Sequence, residues 1–550
     1  MPAPRTDLHT LELLALPAAM APKMYRHQSR LYRVPKLTTV HRDPEVGCTI
    51  PEPGEWPVDP QDDVEARDDR LWIDGCFDFF HHGHAGVMLQ ARRLGDSLLV
   101  GIHSDEEILK HKGPTVMNLE ERVAAVNACR FSTLCVPSSP YVTSLPWIDH
   151  YGCKYVVHGD DITSDANGED AYRFVKKAGR MKIAKRTPYI STTDLVGRML
   201  LVTKDHHIKS LTDYLSGKEG IGSDDERGER GKAAQQRIRE YASAPNGIDA
   251  YVAVWKFKPK HRPIERRRSS AAGLLKGMNS LHLSDSGKGS YSSIVDGLGP
   301  KSGQRIVYVD GSFDLFSSGQ ITFLKTVYDL ETKLGQDRDW FSPSATQQRI
   351  TDTGSDYPPA YIIAGLHDDD IVNHYKGLNY PIMNILERGL CVVQCKYIHS
   401  VVFSAPFTPS ISFLSSLPAL AASDTTTGVQ HPDAVYHGLT SFLPSPTDVY
   451  ADAKAINIFH QTPSHQFADV NAEHIVKRIW AKRGEFEERQ KRKGVKSVTE
   501  AEAARQEAEA LRMERRDTLE RLEAPKKKQE EIKRKKLERS WSEIEKQFGA

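Results

Sequence analysis

The sequence predicts an α/β protein of two tandem domains, each a parallel sheet flanked by helices, joined by a polar linker and followed by a charged helical tail. Three observations predict it. From Leu71 to about Thr203, short apolar runs alternate with helical segments, the pattern of a parallel sheet covered on both faces. The same succession returns after Arg305, where Asp310-Gly311-Ser312-Phe313-Asp314 repeats Asp74-Gly75-Cys76-Phe77-Asp78 at an offset of 236 residues. Outside these two stretches the composition turns polar. The boundaries therefore fall at 1–70, 71–203, 204–304, 305–480 and 481–550.

Residues 1–70 are rich in proline and charge, as in Pro51-Glu52-Pro53-Gly54-Glu55-Trp56-Pro57, and are expected to be mostly disordered. Leu71-Trp72-Ile73 reads as a buried strand that stops at the Asp74-Gly75 turn, and a helix should begin at about Gly83 and run to Leu94. Ser97 to His103 is a strand. Asn118 to Cys129 is a helix, with Asn118 as cap and Glu121 at the capping-box position. Leu134 to Pro137 and Lys154 to His158 are further strands. Residues 204–304 read as linker, with a solvated basic run at Arg266-Arg267-Arg268 and a short ordered piece at Tyr251 to Phe257.

The repeat extends well beyond its first turn. Leu99-Val100-Gly101-Ile102-His103 pairs with Ile363-Ala364-Gly365-Leu366-His367, and His111-Lys112-Gly113 with Tyr375-Lys376-Gly377. Met117 to Arg122 pairs with Met383 to Arg388, and Cys129-Arg130-Phe131 with Cys395-Lys396-Tyr397. The offset rises to 264 and then 266, so the second copy carries an insertion, expected as a loop within Gln336 to Tyr357. After Ala481 the composition favours a long exposed helix broken near Pro525, with Leu537, Trp541, Ile544 and Phe548 on one apolar stripe. Docking on the chain itself is the plainer reading of that stripe. Peripheral membrane contact is the sharper one.

Composition excludes several classes. Lys+Arg number 74 and Asp+Glu 73, so no global basic field favours nucleic acid. Seven cysteines without a C-x-x-C spacing suit buried thiols in a reducing compartment. No apolar run approaches the roughly 20 residues of a membrane span, and Leu11 to Ala21 is no secretory signal, which makes a cytoplasmic location the expectation. Oligomeric state stays open, a homodimer included.

The chemistry centres on Gly75-Cys76-Phe77-Asp78-Phe79-Phe80-His81-His82-Gly83-His84. Free amides at a turn and at a helix N-terminus favour anions, and Gly83 is expected to let the backbone approach a ligand. By itself H-x-G-H reads more readily as a core histidine pair beside an ordinary turn. The second copy decides between the two: it keeps the Asp-Gly-x-Phe-Asp turn but has Ser317 and Gln320 in place of His81 and His84. The turn thus belongs to the fold, and the imidazoles to function. Lys112 can reach a phosphate as a mobile charge. Arg186 stands close before Ser191-Thr192-Thr193-Asp194, a helix start with clustered hydroxyls. No G-x-x-x-x-G-K-[ST] occurs, so this is not a P-loop.

G-x-F-D-x-F-H-x-G-H, then Lys112-Gly113-Pro114-Thr115-Val116, then Arg-Thr-x-x-Ile-Ser-Thr-Thr, in this order, resemble the cytidylyltransferase family of the nucleotidyltransferase superfamily. That resemblance implies tandem Rossmann-like domains. The duplication, with a degenerate second H-x-G-H, is similar to the branch that acts on ethanolamine phosphate; the branch acting on choline phosphate is the alternative, and a non-catalytic nucleotide-binding regulator a third. The implied reaction transfers CMP from CTP to ethanolamine phosphate, giving CDP-ethanolamine and pyrophosphate for phosphatidylethanolamine synthesis at or near the endoplasmic reticulum. His81 and His84 would stabilise the α-phosphate, Lys112 would bridge α- and β-phosphates, and Arg186, Ser191, Thr192 and Thr193 would hold the outer phosphates. Arg130 would add charge nearby. Gly75, Phe77, Asp78 and Gly83 would shape the nucleotide site, and Mg²⁺ would travel with CTP, Asp78 being the best single carboxylate for it. Trp147, Asp160 and Asp161 lie where the family binds its alcohol phosphate. Thr163 follows Ile162, and the tyrosine that choline enzymes carry in this segment is absent, which disfavours a trimethylammonium cage. The second copy, which also has Gln461-Thr462 for Arg186-Thr187, is expected to pack against the first without catalysing transfer.

Overall fold

A computed structural model describes residues 41–42, 49–58, 63–160, 163–188, 190–260, 289–421, 431–439, 448–489 and 491. Two sheets organise them. In the first, β1 (Arg67–Gly75), β2 (Ser97–His103), β3 (Leu134–Ser139), β4 (Cys153–Gly159) and β5 (Met181–Ala184) lie in the order β3-β2-β1-β4-β5, every pair parallel. Connections leave β1 towards both sides, so a crevice opens at the carboxyl ends of the central strands. β2 is buried from Leu98 to His103, as a strand covered by helices on both faces must be.

The second sheet repeats this core and extends it. Its strands are β6 (Ala253–Pro259), β7 (Gly289–Val295), β8 (Arg305–Gly311), β9 (Ala360–Leu366), β10 (Ser400–Phe403), β11 (Ala434–His437) and β12 (Phe459–Gln461), in the order β12-β11-β8-β9-β10-β6-β7. Only β6 and β7 pair antiparallel. The stretch β10-β9-β8-β11-β12 is the counterpart of the whole first sheet.

Residues 204–304 differ from the expected linker. Helix Asp224–Tyr241 starts on a Ser223/Glu226 capping box and buries Gly231, Ala234, Ile238 and Tyr241, a narrow stripe hidden by a charged remainder. The ordered piece expected at Tyr251 to Phe257 is β6, an inner strand whose Val254 and Phe257 are buried. Residues 261–288, with the Arg266 run, lie outside the described residues. The N-terminal segment is also partly ordered: Trp56 stacks on His150 at 3.5 Å and meets Trp147 edge-on at 5.0 Å. The insertion is helical rather than a loop. Ser342 caps Pro343–Thr353, and the buried Arg349 ties it to Asp356 at 2.7 Å. Beyond Ala481 a helix continues over 483–489; Pro525 and the Leu537 stripe lie outside the described residues. Among the described residues no helix is long and apolar enough to cross a membrane.

The domains share one core. A single hydrophobic cluster runs from Leu71, Val100 and Phe131 through to Val307, Leu366 and Tyr397. Across it Cys129 and Cys395 face each other in an antiparallel bridge, flanked by Arg130 N–H on the Gln394 carbonyl and Lys396 N–H on the Ala128 carbonyl, both at 2.9 Å.

Candidate active site

β1 delivers the chain to a turn that neither copy can make cheaply. Phe77 and Phe79 sit at φ +54° and +47°, Phe313 and Leu315 at +48° each, the left-handed region that bulky residues avoid. One carboxylate holds each turn. Asp78 accepts the amides of Val116 and Met117 at 3.0 Å; Asp314 accepts those of Ile382 and Met383 at 2.7 and 2.9 Å. A buried arginine completes the clamp: Arg122 donates to the Cys76, Met117 and His103 carbonyls and to Asp105, and Arg388 does the same to Ser312, Met383, His367 and Asp369. Asp78 therefore has a structural part in the turn, each of its oxygens accepting one amide. Among the described residues no group of three His, Cys, Asp or Glu side chains could hold a metal.

Helix His82–Arg92 starts where the turn ends. His81 is its cap, with Nδ1 accepting the Gly83 amide at 3.1 Å. A neutral His81 therefore carries its proton on Nε2, the orientation of a donor. The His84 ring stacks on His81 at 4.0 Å and 15°, with Phe77 and Phe80 at 5.4 and 5.8 Å. Between them His82 is a core histidine: burial, with Arg237 and Arg198 behind it, pushes its pKa down to about 3. The space beside Gly83 is not left for a ligand. A Cβ there would stand 2.8 Å from the His81 ring and 2.9 Å from Ile190, so glycine is needed for the cap itself.

The other phosphate candidates separate into groups. Thr192 Oγ1 donates to the Asp78 carbonyl at 3.1 Å, which docks the start of helix Thr192–Leu201 on the histidine turn. Ser191 caps that helix through the Asp194 amide at 3.0 Å, with Thr193 part-exposed beside it and Arg186 exposed in the approach. Lys112 ends helix Asp105–Lys112 exposed, its ammonium 5.4 Å from the Tyr141 ring, on which His111 also stacks. Gly75 closes β1 against the Phe77 ring.

Two expectations are corrected. Arg130 adds no charge to the phosphate site: it is buried and donates to the Val393, Cys395 and Ile398 carbonyls at 2.9–3.1 Å and the Ser243 carbonyl at 3.4 Å, fastening the two domains. Trp147 is a core residue against Trp56 and is only 4% exposed. Asp160 is exposed just beyond β4, and Asp161 lies outside the described residues. The buried carboxylate on the crevice side is instead Asp74, which accepts Trp72 Nε1 at 2.9 Å and the Thr143 and Tyr172 hydroxyls at 2.7 Å. Its sequence signal was its place before Gly75 in both copies. Tyr241 had no such signal: it reaches from the supposed linker to donate to the His82 carbonyl.

A cavity joins the two turns. Phe80, His81 and Met117 line it from one side and their counterparts Phe316, Ser317 and Met383 from the other. On the second side Gln320 Oε1 accepts both the Ser317 amide and hydroxyl at 2.7 Å, closing the helix start on itself.

The model of cytidylyltransferase-like proteins matches residues 72–198, the whole of this first site. Ethanolamine-phosphate cytidylyltransferase of Mus musculus is 35% identical over 442 residues, covering 80% of this chain and 92% of its own. The chain belongs to the ethanolamine-phosphate cytidylyltransferase family. The enzyme of that name from Dictyostelium discoideum is 32% identical across 78% of this chain and 95% of its own. Choline-phosphate cytidylyltransferase A of Rattus norvegicus is 38% identical, but over only 24% of this chain. Likeness to the ethanolamine-phosphate cytidylyltransferases thus takes in both copies, as the duplication requires.

Proposed function

We propose that this enzyme transfers CMP from CTP to ethanolamine phosphate, releasing pyrophosphate and CDP-ethanolamine for phospholipid synthesis. The observation that carries the reading is the stacked His81/His84 pair on the helix start of one copy, set against the self-capped Ser317/Gln320 of the other. A phosphate oxygen of the acceptor attacks the α-phosphorus in line, the new P–O bond forms as the bond to the β-phosphate oxygen breaks, and no covalent enzyme intermediate is needed. Charge builds on the α-phosphate and the leaving pyrophosphate. Preorganised donors lower that barrier most: His81 Nε2–H and His84 at the α-phosphate, Lys112 across α and β, Arg186 and the Ser191-Thr192-Thr193 helix start at the outer phosphates. Magnesium would travel with CTP and neutralise charge on its phosphates, and Asp78, the carboxylate expected nearest to it, is held by the Val116 and Met117 amides.

Turnover of CTP with ethanolamine phosphate against choline phosphate tests the acceptor. Ethanolamine phosphate should be preferred by at least tenfold in kcat/KM; equal use of choline phosphate sinks the assignment. His84→Ala should cost on the order of 10²-fold or more in kcat. A loss of only a few-fold would remove the histidines from the mechanism.

A further inference from the structure

Contacts between the domains are reciprocal up to one point and then diverge. Each capping-box glutamate receives an arginine fork from the last helix of the other domain: Arg478 of Ala472–Ala481 on Glu121 at 2.8 Å twice, and Arg198 of Thr192–Leu201 on Glu387 at 2.8 and 2.9 Å. The same arginines donate to carbonyls at matched positions, Val116 at 3.3 Å and Ile382 at 3.0 Å. Behind Arg198 the chain supplies His206 and His207, whose rings meet the Pro381 carbonyl at 2.8 and 3.1 Å in the eroded domain. Behind Arg478 it supplies the helix over 483–489, anchored by the buried Phe486, and this helix reaches the catalytic copy.

There Arg489 donates to the Pro114 carbonyl and stands 3.7 Å from Asp78. A Cβ on Gly113 would lie 3.6 Å from the Arg489 stem. Residues 112–117 leave their helix through Gly113 at φ +92° and are then held from two sides, by Asp78 at 116 and 117 and by the second domain at 114 and 116. A lysine on a four-carbon stem is only as well placed as the backbone that carries it.

We propose that Arg489, backed by Arg478, positions Lys112 for CTP, so that the terminal helix of the eroded domain is a working part of the first domain's nucleotide site. The inference rests on the assignment of Lys112 to the α- and β-phosphates. In the full-length enzyme, Arg489→Ala should raise KM for CTP about tenfold, with KM for ethanolamine phosphate within twofold and the melting temperature little changed. Arg489→Lys, which keeps a donor and a charge, should recover part of the loss. Arg198→Ala severs the mirror-image fork: it should lower the melting temperature while leaving KM for CTP within twofold. Wild-type kinetics in Arg489→Ala beside an impaired Lys112→Ala would overturn the proposal and spare the Lys112 assignment. Parallel rises in both KM values for Arg489→Ala and Arg198→Ala would reduce the effect to loss of the interface and overturn it as well. Should Lys112→Ala itself match wild type, the assignment falls and this inference with it.

Discussion

At the scale of single residues, the duplication shows what the fold requires. Asp78 and Asp314, Arg122 and Arg388 make the same bonds in both copies, and none of them depends on a ligand. Gly83 belongs with them by geometry, since its missing Cβ lets His81 accept the Gly83 amide. Gly83→Ala should therefore cost about 1–3 kcal/mol of stability from the forced shift and reduce turnover by more than that loss explains, because the His81 ring must leave its cap; wild-type turnover would contradict this. Asp310 is a different case. It is buried against Tyr450 at 2.6 Å, and burial raises its pKa to about 7 despite the Tyr450 and Tyr308 hydroxyls. The folded state thus keeps a proton that the unfolded chain, with an ordinary value near 3.9, has lost. Stability should fall as pH rises from about 4 to 7 and level off above, by about 1.4 kcal/mol between pH 6 and 8 for this group alone. Asp310→Asn should remove that part of the slope in denaturant titrations at the two pH values, and an unchanged slope would reject it.

At the scale of elements, legibility followed how many residues carried a signal. β2, predicted at Ser97 to His103, has those bounds, and Asn118 caps Leu119–Ala128 with Glu121 closing the box. Both rest on local rules: an unbroken apolar run, and a cap whose two partners are three residues apart. Helix Asp224–Tyr241 is not legible because its buried positions are few and fall among charges, and the first domain's turn explains them; β6 is legible only as a short ordered piece at Tyr251 to Phe257, and its place beside β10 comes from the neighbouring sheet. Arg130 was misplaced for a related reason: a cation near a phosphate motif in sequence says nothing of the carbonyls that fold around it. The helix start at Ser317 shows how thoroughly the second copy has been refitted. Gln320 occupies the donors that would face a phosphate, Lys376 pairs with Glu473 at 2.8 Å, and Gln461 replaces Arg186. Ser317→His with Gln320→His, placed in a chain already carrying His81→Ala and His84→Ala, should leave CMP transfer at the level of that parent. Recovery towards wild type would mean that the two histidines alone separate the copies.

At the scale of the whole molecule, the two domains are one folding unit rather than two units on a string. β6 comes from the stretch between the copies, yet it lies beside β10 in the second sheet, while helix Asp224–Tyr241 just before it packs against the first domain's helix His82–Arg92. A fragment limited to Arg305–Arg478 would lack β6 and β7 and would bare the edge of β10, so it cannot report what the second domain does in place. The Arg130 guanidinium closes the same seam, serving three carbonyls of the second domain from within the shared core. These contacts do not need the peptide link across 261–288. Two co-expressed chains, 1–274 and 275–550, should therefore copurify as a one-to-one complex, the first contributing β6 and the second β7 to the common sheet. Arg130→Ala in the first chain leaves buried carbonyls without donors, a cost of about 1–3 kcal/mol for each group that water cannot reach, and should weaken the complex enough to shift its dissociation to lower denaturant. If the chains instead elute separately with the native sequence, the seam is too weak to act as a core, and the covalent linker rather than the interface holds the first and second copies together.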